Sequence, residues 1–334
     1  MPTAFVTGGS GFVGANLVRA LLDDGWQVRA LVRGAAPSLD GLEVARVPGD
    51  LFAPDLVAAM RGSDAVFHVA ALYSLWRRDR AALLRANVEG TRNVLAAARA
   101  AGVPRVVHTS SVAALGVRAD GRPADETYRS PTAALIGAYK KSKRLAEEEV
   151  DRAVAGGQDV VLVNPTTPIG PWDAKPTPTG EIVVRFLRGQ MPAYVDTGLN
   201  VVDVRAVAAG HIAAYRQGRT GERYILGGEN LTLRALLERL APLAGRPAPR
   251  VRLPRWIPLA YAAVGETLLA PLGVRPDVSV ESVRMAKQRM WYVAAKAERE
   301  LGFRPGSVTE ALAAAVTWFR TYGYADPGSR PVEN

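Results

Sequence analysis

Tyr139 and Lys143 stand four residues apart in the run YKKSK. That spacing puts both on one face of a helix. An ammonium beside a phenol favours the phenolate, so the spacing predicts a tyrosine pKa lowered from ~10 towards working pH and able to give or take a proton. Lysine occurs only at 140, 141, 143, 175, 287 and 296, so three of the six fall in this one turn. Lys140 and Lys141 have a plainer reading, a solvated face paired with Glu147 and Glu148. Upstream, TGGSGFVG spans Thr7 to Gly14. Gly8 permits a tight turn, Gly11 lets a backbone approach a pyrophosphate, and Gly14 lets the following helix pack closely. Ser10, Phe12 and Val13 complete the loop, whose free N–H groups and positive helix end face the anion. A proton donor and a phosphate cradle together imply an enzyme that binds a nicotinamide dinucleotide and moves a hydride.

These groups need a scaffold, and the hydrophobic pattern supplies one. Ala4–Thr7 reads as a strand, Phe12–Leu22 as a helix stopped by Gly25, and Val28–Val32 as a second strand. Ala65–Val69 and Arg105–Thr109 are near-continuous apolar runs, as strands covered on both faces require. Asn87–Ala101 is helical up to Gly102, and Val160–Val163 is a further strand. Strands alternating with helix-length segments predict an α/β fold: a Rossmann doubly wound parallel sheet with helices on both faces. After Asn164 the texture changes. Five prolines crowd into NPTTPIGPWDAKPTPTG, a loop suited to ligand contacts. Val201–Val204 and Tyr224–Leu226 read as short strands. The expected division is a dinucleotide-binding domain over 1–165 plus about 195–228, a smaller, mainly helical substrate lobe over 166–194 and 229–325, and a frayed tail over 326–334.

The end of the second strand selects the dinucleotide. An NAD site places Asp or Glu there for the ribose 2′-hydroxyl. Here the chain reads Leu31-Val32-Arg33-Gly34, and Arg33 suits a 2′-phosphate through charge-assisted, bidentate bonds. NADP(H) is therefore favoured over NAD(H). Asp50, in GDL, could bond the adenine, and a plain loop carboxylate is the other reading. Ser111 follows a strand's carboxyl end, where it would hydrogen-bond the reacting oxygen and hold it for Tyr139.

Composition narrows the alternatives. The chain has 334 residues, 48% hydrophobic and 22% charged, which is ordinary for a globular protein. With no cysteine, disulfides, thiolate nucleophiles and Cys-based zinc sites are excluded, and a cytosolic setting fits. His68, His108 and His211 have no metal-ligand spacing, so no metal is expected. Residues 8–12 read Gly-Gly-Ser-Gly-Phe, which lacks the last glycine of a hydrolase elbow. Met1 runs almost directly into a strand, leaving no room for a signal peptide. The net charge of +10 comes mostly from arginines spread widely, without aromatic interleaving or a basic tail, so nucleic acid is not an expected partner. The longest apolar stretch, Trp256 to Leu272, is too short to span a bilayer and reads as a core helix. Ahead of it lie Arg246, Arg250, Arg252 and Arg255. They read as a solvated turn, with peripheral contact at an anionic membrane face as the other reading.

Taken together, TGGSGFVG, GDL at Gly49–Leu51, HVAA at His68–Ala71, NVEGT at Asn87–Thr91, TSS at Thr109–Ser111, YKKSK and NPTTPIGP at Asn164–Pro171 resemble the extended short-chain dehydrogenase/reductase family over essentially the whole chain. The resemblance implies a catalytic triad of Ser111, Tyr139 and Lys143, with Lys143 also on the nicotinamide ribose. It implies that Leu51, Val69, Ala70, Ala71, Thr109, Asn164, Pro165 and Thr167 line the dinucleotide. It also implies that Asn87 steadies the sheet beside the site, where a helix N-cap is the plainer role. NPTTPIGP, KPTPTG, MPAYVDTGLNVVDV and ERYILGGENLTL look like the hopanoid-associated sugar epimerase subfamily, related to dihydroflavonol reductases. That implies an enzyme of bacterial hopanoid metabolism acting on a sugar-derived or polyol side chain, in the cytosol or at the inner membrane face, and a homodimer packed through helices that include the one bearing Tyr139. Arg33 is closer to the reductase pattern. An epimerase or dehydratase that retains its cofactor, and a non-catalytic dinucleotide sensor, stay open. For substrate, Tyr73, Trp76, Thr166, Lys175 and Tyr194 join Ser111 as candidates, since aromatic and hydroxyl groups around an apolar opening suit a polyol head on a greasy body.

Overall fold

Thr3–Thr7 (β1) is fully buried and leads through the glycine loop into the helix Phe12–Asp23 (α1). Gln27–Val32 (β2), Val44–Pro48 (β3), Ala65–His68 (β4), Arg105–Thr109 (β5) and Val160–Pro165 (β6) follow, with Gly90–Ala100 (α2) and Ala138–Ala155 (α3) between the later strands. Beyond them come Thr167–Ile169 (β7), Pro178–Leu187 (α4), Ala193–Tyr194 (β8), Gly198–Asp203 (β9), Val204–Gln217 (α5), Arg223–Leu226 (β10) and Glu229–Thr232 (β11). The computed structural model describes residues 1–254, 256–269 and 280–326.

The main sheet has seven strands in the order β10-β6-β5-β4-β1-β2-β3, every neighbouring pair parallel. From β1 the chain goes first to one side (β2, β3) and then crosses to the other (β4, β5). The strand order therefore reverses between β1 and β4, where ligands of such sheets bind outside the carboxyl ends. Both faces are covered. Ala4, Val6, Phe67, Val107 and Val161 point towards α1 and α5, whereas Phe5, Val66, Val106 and Leu162 point towards α2 and α3. Alternate residues of each strand thus enter two separate cores, which is why the strand sequences are apolar without alternation.

The remaining elements build a lobe with its own sheet. In it β9 is antiparallel to β11 and parallel to β7 and to Arg289–Met290, and β8 pairs with Val251–Arg252. Leu233–Ala244 (α6) and Val308–Thr321 (α8) pack with α4 around Phe186, Leu237, Leu312 and Phe319. Residues 195–228 are shared between the sheets: β9 lies in the small one, while α5 and β10 lie with the large one.

One expectation fails. Trp256–Leu269 (α7) is not a core helix, because Trp256, Tyr261, Val264 and Leu268 are all exposed and Ala262 alone among its described side chains is buried. Its apolar composition argues for burial, but no layer of either core covers it. Arg255, residues 270–272 of the expected helix and the tail beyond 326 lie outside the described residues.

Candidate active site

The cradle forms where glycine is obligatory. Gly8 has φ +73°, and a Cβ there would lie 2.6 Å from the backbone of Ala70, at the end of β4. A Cβ on Gly14 would collide with the Gly8 carbonyl oxygen and sit 2.7 Å from the Gly8 carbonyl carbon. α1 is therefore pressed onto the loop and the loop onto β4. Gly11 is the exposed N-cap of α1 and carries no side-chain cap, so the amides beyond it are available to an anion. Ser10 is anchored through its carbonyl, which accepts from Ser38 Oγ at 2.9 Å. The shape and donors of this loop fit a dinucleotide pyrophosphate.

Around the cradle, Arg33 is exposed at the carboxyl end of β2 and has no ion-pair partner among the described residues. Asp50 is exposed too, one oxygen accepting from the Phe52 N–H at 2.8 Å in a local turn. Leu51 packs against Gly90. Val69 donates its N–H to the Thr7 carbonyl, and Ala70 donates to Thr7 Oγ1. Ala71 is exposed at the same strand end. Pro165 ends β6, and Thr167 begins β7 beside it. The proline-rich loop reaches back to α1: Asn16 Nδ2 donates to the Pro171 carbonyl at 3.0 Å, and Arg19 lies 3.5 Å from the centre of the Trp172 ring. Trp172 holds φ +72°, a left-handed conformation uncommon for a bulky residue.

Tyr139 opens α3, and Lys143 follows one turn later. Ser111 caps the short helix Val112–Leu115, its Oγ accepting from the Ala113 N–H at 3.1 Å. Ser111 also reaches the Tyr139 phenol, where its hydrogen bond favours the phenolate. Burial outweighs that bond and pushes the phenol up to about 12. The expected lowering by Lys143 is thus absent. The amine instead donates to the Thr109 carbonyl at 2.9 Å, and burial pulls it down to about 8, against the opposing charge of Glu147. Thr109 contributes only its backbone here, since its hydroxyl bonds His211 Nε2 at 2.9 Å.

Glu147, one turn beyond Lys143, is the residue that sequence reasoning missed. It is fully buried. Its Oε1 accepts from Ser110 Oγ at 2.6 Å and Asn164 Nδ2 at 2.8 Å, and its Oε2 from Arg129 at 3.2 Å and Arg223 at 3.1 Å. Asn164 also donates to the Ser111 carbonyl at 3.0 Å, so Glu147 holds the serine strand-end through one intermediary. The signal was present, since 139, 143 and 147 share one helix face. The surface reading of Lys140 fails as well: it is buried and faces Glu281, not Glu148. Asn87 is not an N-cap. It sits in a π-type turn, exchanges two hydrogen bonds with the backbone of Leu72, and donates to Ser142 Oγ at 2.9 Å, which ties the loop after β4 to α3. The histidines are all buried and all pulled down by burial, His68 to about 3 and His211 to about 4. Among the described residues no group of side chains could hold a metal ion.

Of the substrate candidates, Tyr73 meets Tyr139 edge-to-face, with ring centroids 4.6 Å apart. Trp76 is half-buried in the same loop, and Thr166 lies between β6 and β7, its N–H donating to the Leu226 carbonyl. Lys175 is exposed in the proline-rich loop. Tyr194 lies elsewhere, in the β8 pair, lining a groove with Asp196, Thr232 and Arg252 that holds no residue of the cradle or the triad.

Comparison with known proteins agrees with this geometry. The model of the NAD dependent epimerase/dehydratase family matches residues 4–227. A Synechocystis sp. protein, provisionally named a dihydroflavonol 4-reductase, is 57% identical over 326 residues, covering 96% of this chain and 95% of its own. Sterol demethylase protein B of Methylococcus capsulatus is 37% identical, covering 96% and 99%. The crystal structure of gox2253 superposes with a TM-score of 0.86 at 43% identity, covering 97% of this chain and 99% of that one.

Proposed function

We propose, for a chain that belongs to the NAD dependent epimerase/dehydratase family and so to the extended short-chain dehydrogenases/reductases, that its own reaction is an NADP(H)-dependent reduction of a carbonyl. The family makes the protein an NAD(P)-dependent oxidoreductase or epimerase. The finer reading rests on Arg33. It stands exposed at the end of β2, where a carboxylate would be needed for a 2′-hydroxyl and a cation suits a 2′-phosphate.

The residues present would hold the dinucleotide along the glycine cradle, Arg33 and the ends of β4 and β5. When bound, the nicotinamide supplies the hydride. Tyr139 then gives its proton to the carbonyl oxygen as the neighbouring carbon is reduced. A phenol held near 12 remains protonated at neutral pH, which suits a donor. Ser111 orients the same oxygen, and Lys143, one turn on along α3, carries the site's positive charge on an amine held by the Thr109 carbonyl. The substrate side of the proposal is a polyol or sugar-like side chain of a hopanoid-type lipid. The relatives' names, a dihydroflavonol 4-reductase and a sterol demethylase protein, support the reduction and a polycyclic body, and the polyol head rests on the sequence resemblance. The family resemblance adds a homodimer, in the cytosol or at the inner membrane face, to the proposal. Among the described residues no helix is long and apolar enough to cross a membrane.

The test is titration with NADPH and NADH, repeated with Arg33→Ala. Loss of a charge-assisted pair should weaken NADPH by about 10- to 100-fold and leave NADH nearly unchanged. Equal affinity of the unaltered protein for both dinucleotides would overturn the NADP(H) assignment and favour an epimerase with retained NAD.

A further inference from the structure

Helix α7, WIPLAYAAVGETLL, is apolar on every side. A helix of that composition belongs inside something. Yet Trp256 is 68% exposed, Tyr261 61%, Val264 57% and Leu268 63%. Two of its polar groups bond within the fold: Glu266 Oε1 accepts from the Val280 N–H at 2.9 Å, and Thr267 Oγ1 donates to the Ala263 carbonyl at 2.7 Å. The helix is 14 residues long, roughly 21 Å, well short of a span.

Cationic residues flank it along the chain, where Glu266 and Glu281 are the acidic ones among the described residues. Arg250 precedes it, and Arg284 and Lys287 follow; all three are exposed and without an ion-pair partner among the described residues. Arg252 is engaged by Asp196 at 3.1 Å. The helix also adjoins the site. Val280–Met285 packs on α7 and lays Glu281 against Gly137, directly before the catalytic helix, where a Cβ would strike its carboxylate.

We propose that α7 and its flanking cations dock this protein on an anionic phospholipid bilayer. The apolar helix seats in the interface, and Arg250, Arg284 and Lys287 meet the headgroups. Trp256 and Tyr261 have the amphipathic rings that settle at such interfaces. A second copy is the poorer cover, because pairing two α7 faces would bring like-charged flanks together. Docking sets the amino-terminal end of α3 near the bilayer surface, within reach of a lipid-borne substrate. That consequence rests on the proposed function; docking itself does not.

The experiment is flotation of the full chain with vesicles of phosphatidylcholine alone and of phosphatidylcholine mixed with phosphatidylglycerol, at low and high salt, without substrate. The protein should float with the anionic vesicles only, and less at high salt. The triple variant Trp256→Ser, Tyr261→Ser, Leu268→Ser should lose about tenfold or more of its partitioning with an unchanged melting curve, since these side chains are exposed. Charge reversal at Arg284→Glu and Lys287→Glu should abolish the preference for anionic vesicles. The proposal is overturned if the unaltered protein stays with the soluble fraction in both mixtures, if the triple variant floats equally well, or if sedimentation shows α7 mediating self-association in place of flotation.

Discussion

Replacing Glu147 by Gln tests whether the buried carboxylate organises the site. The change is nearly isosteric, but an amide offers one acceptor oxygen where the carboxylate satisfies four donors. Ser110 and Asn164, or Arg129 and Arg223, must then face an NH2 group. Removing one partner of a buried ion pair costs ~3–5 kcal/mol. The lower end applies, because Arg129 is partly exposed and Arg223 keeps Asp151 at 2.6 Å. About 3 kcal/mol corresponds to a fall in Tm of roughly 4 °C for a chain of this length. A second readout separates positioning from bare stability. Glu147 opposes the burial that pulls Lys143 down to about 8, so its loss should lower the amine further. The proposed reduction uses the protonated amine as the site's positive charge. The alkaline limb of kcat/KM should therefore move down by roughly one pH unit, and the acid side should not move. Thermal unfolding and a pH–rate profile on the same preparation give both numbers. An unchanged melting temperature with an unchanged alkaline limb would refute the hub.

Gly14→Ala places a methyl group against the backbone of Gly8 and Gly9, neither of which is a movable side-chain end. α1 must shift off the cradle, and dinucleotide affinity should drop about 100-fold or more by fluorescence titration. Gly25→Ala, at an open turn, should leave affinity intact although its φ of +80° costs some stability. Asp173 is buried and pushed up to about 7 by burial, against hydrogen bonds from Thr177. A carboxyl raised in the folded state contributes stability below its ordinary range near 4 and loses it as pH rises through about 7. The unfolding free energy of the unaltered protein should therefore fall between pH 4 and 7 relative to Asp173→Asn, by up to ~4 kcal/mol, and parallel stability curves for the two proteins would contradict this.

The sheet was legible because burial on both faces leaves an unmistakable trace: AFVT, AVFHV and RVVHT admit no solvent side, and each became a parallel strand. The cradle was legible because a positive φ at Gly8 and a backbone contact at Gly14 leave no residue but glycine. What escaped the sequence depended on distant partners. The direction of the Tyr139 shift required knowing how burial competes with Lys143, whose amine turns to Thr109. The weight on Glu147 required Arg129, Arg223 and Asn164, which are remote in sequence and adjacent only in the fold. The apolar run from Trp256 gave hydrophobicity but not its cover, and it proved to lie on the surface.

The central claim is that Tyr139 moves the proton as the carbonyl is reduced. Tyr139→Phe removes one hydroxyl and keeps the ring that packs edge-to-face on Tyr73. With the substrate in hand, turnover measured by NADPH consumption should fall by roughly 10²- to 10⁴-fold while NADPH affinity stays nearly constant. Turnover equal to that of the unaltered protein would contradict the account at its root.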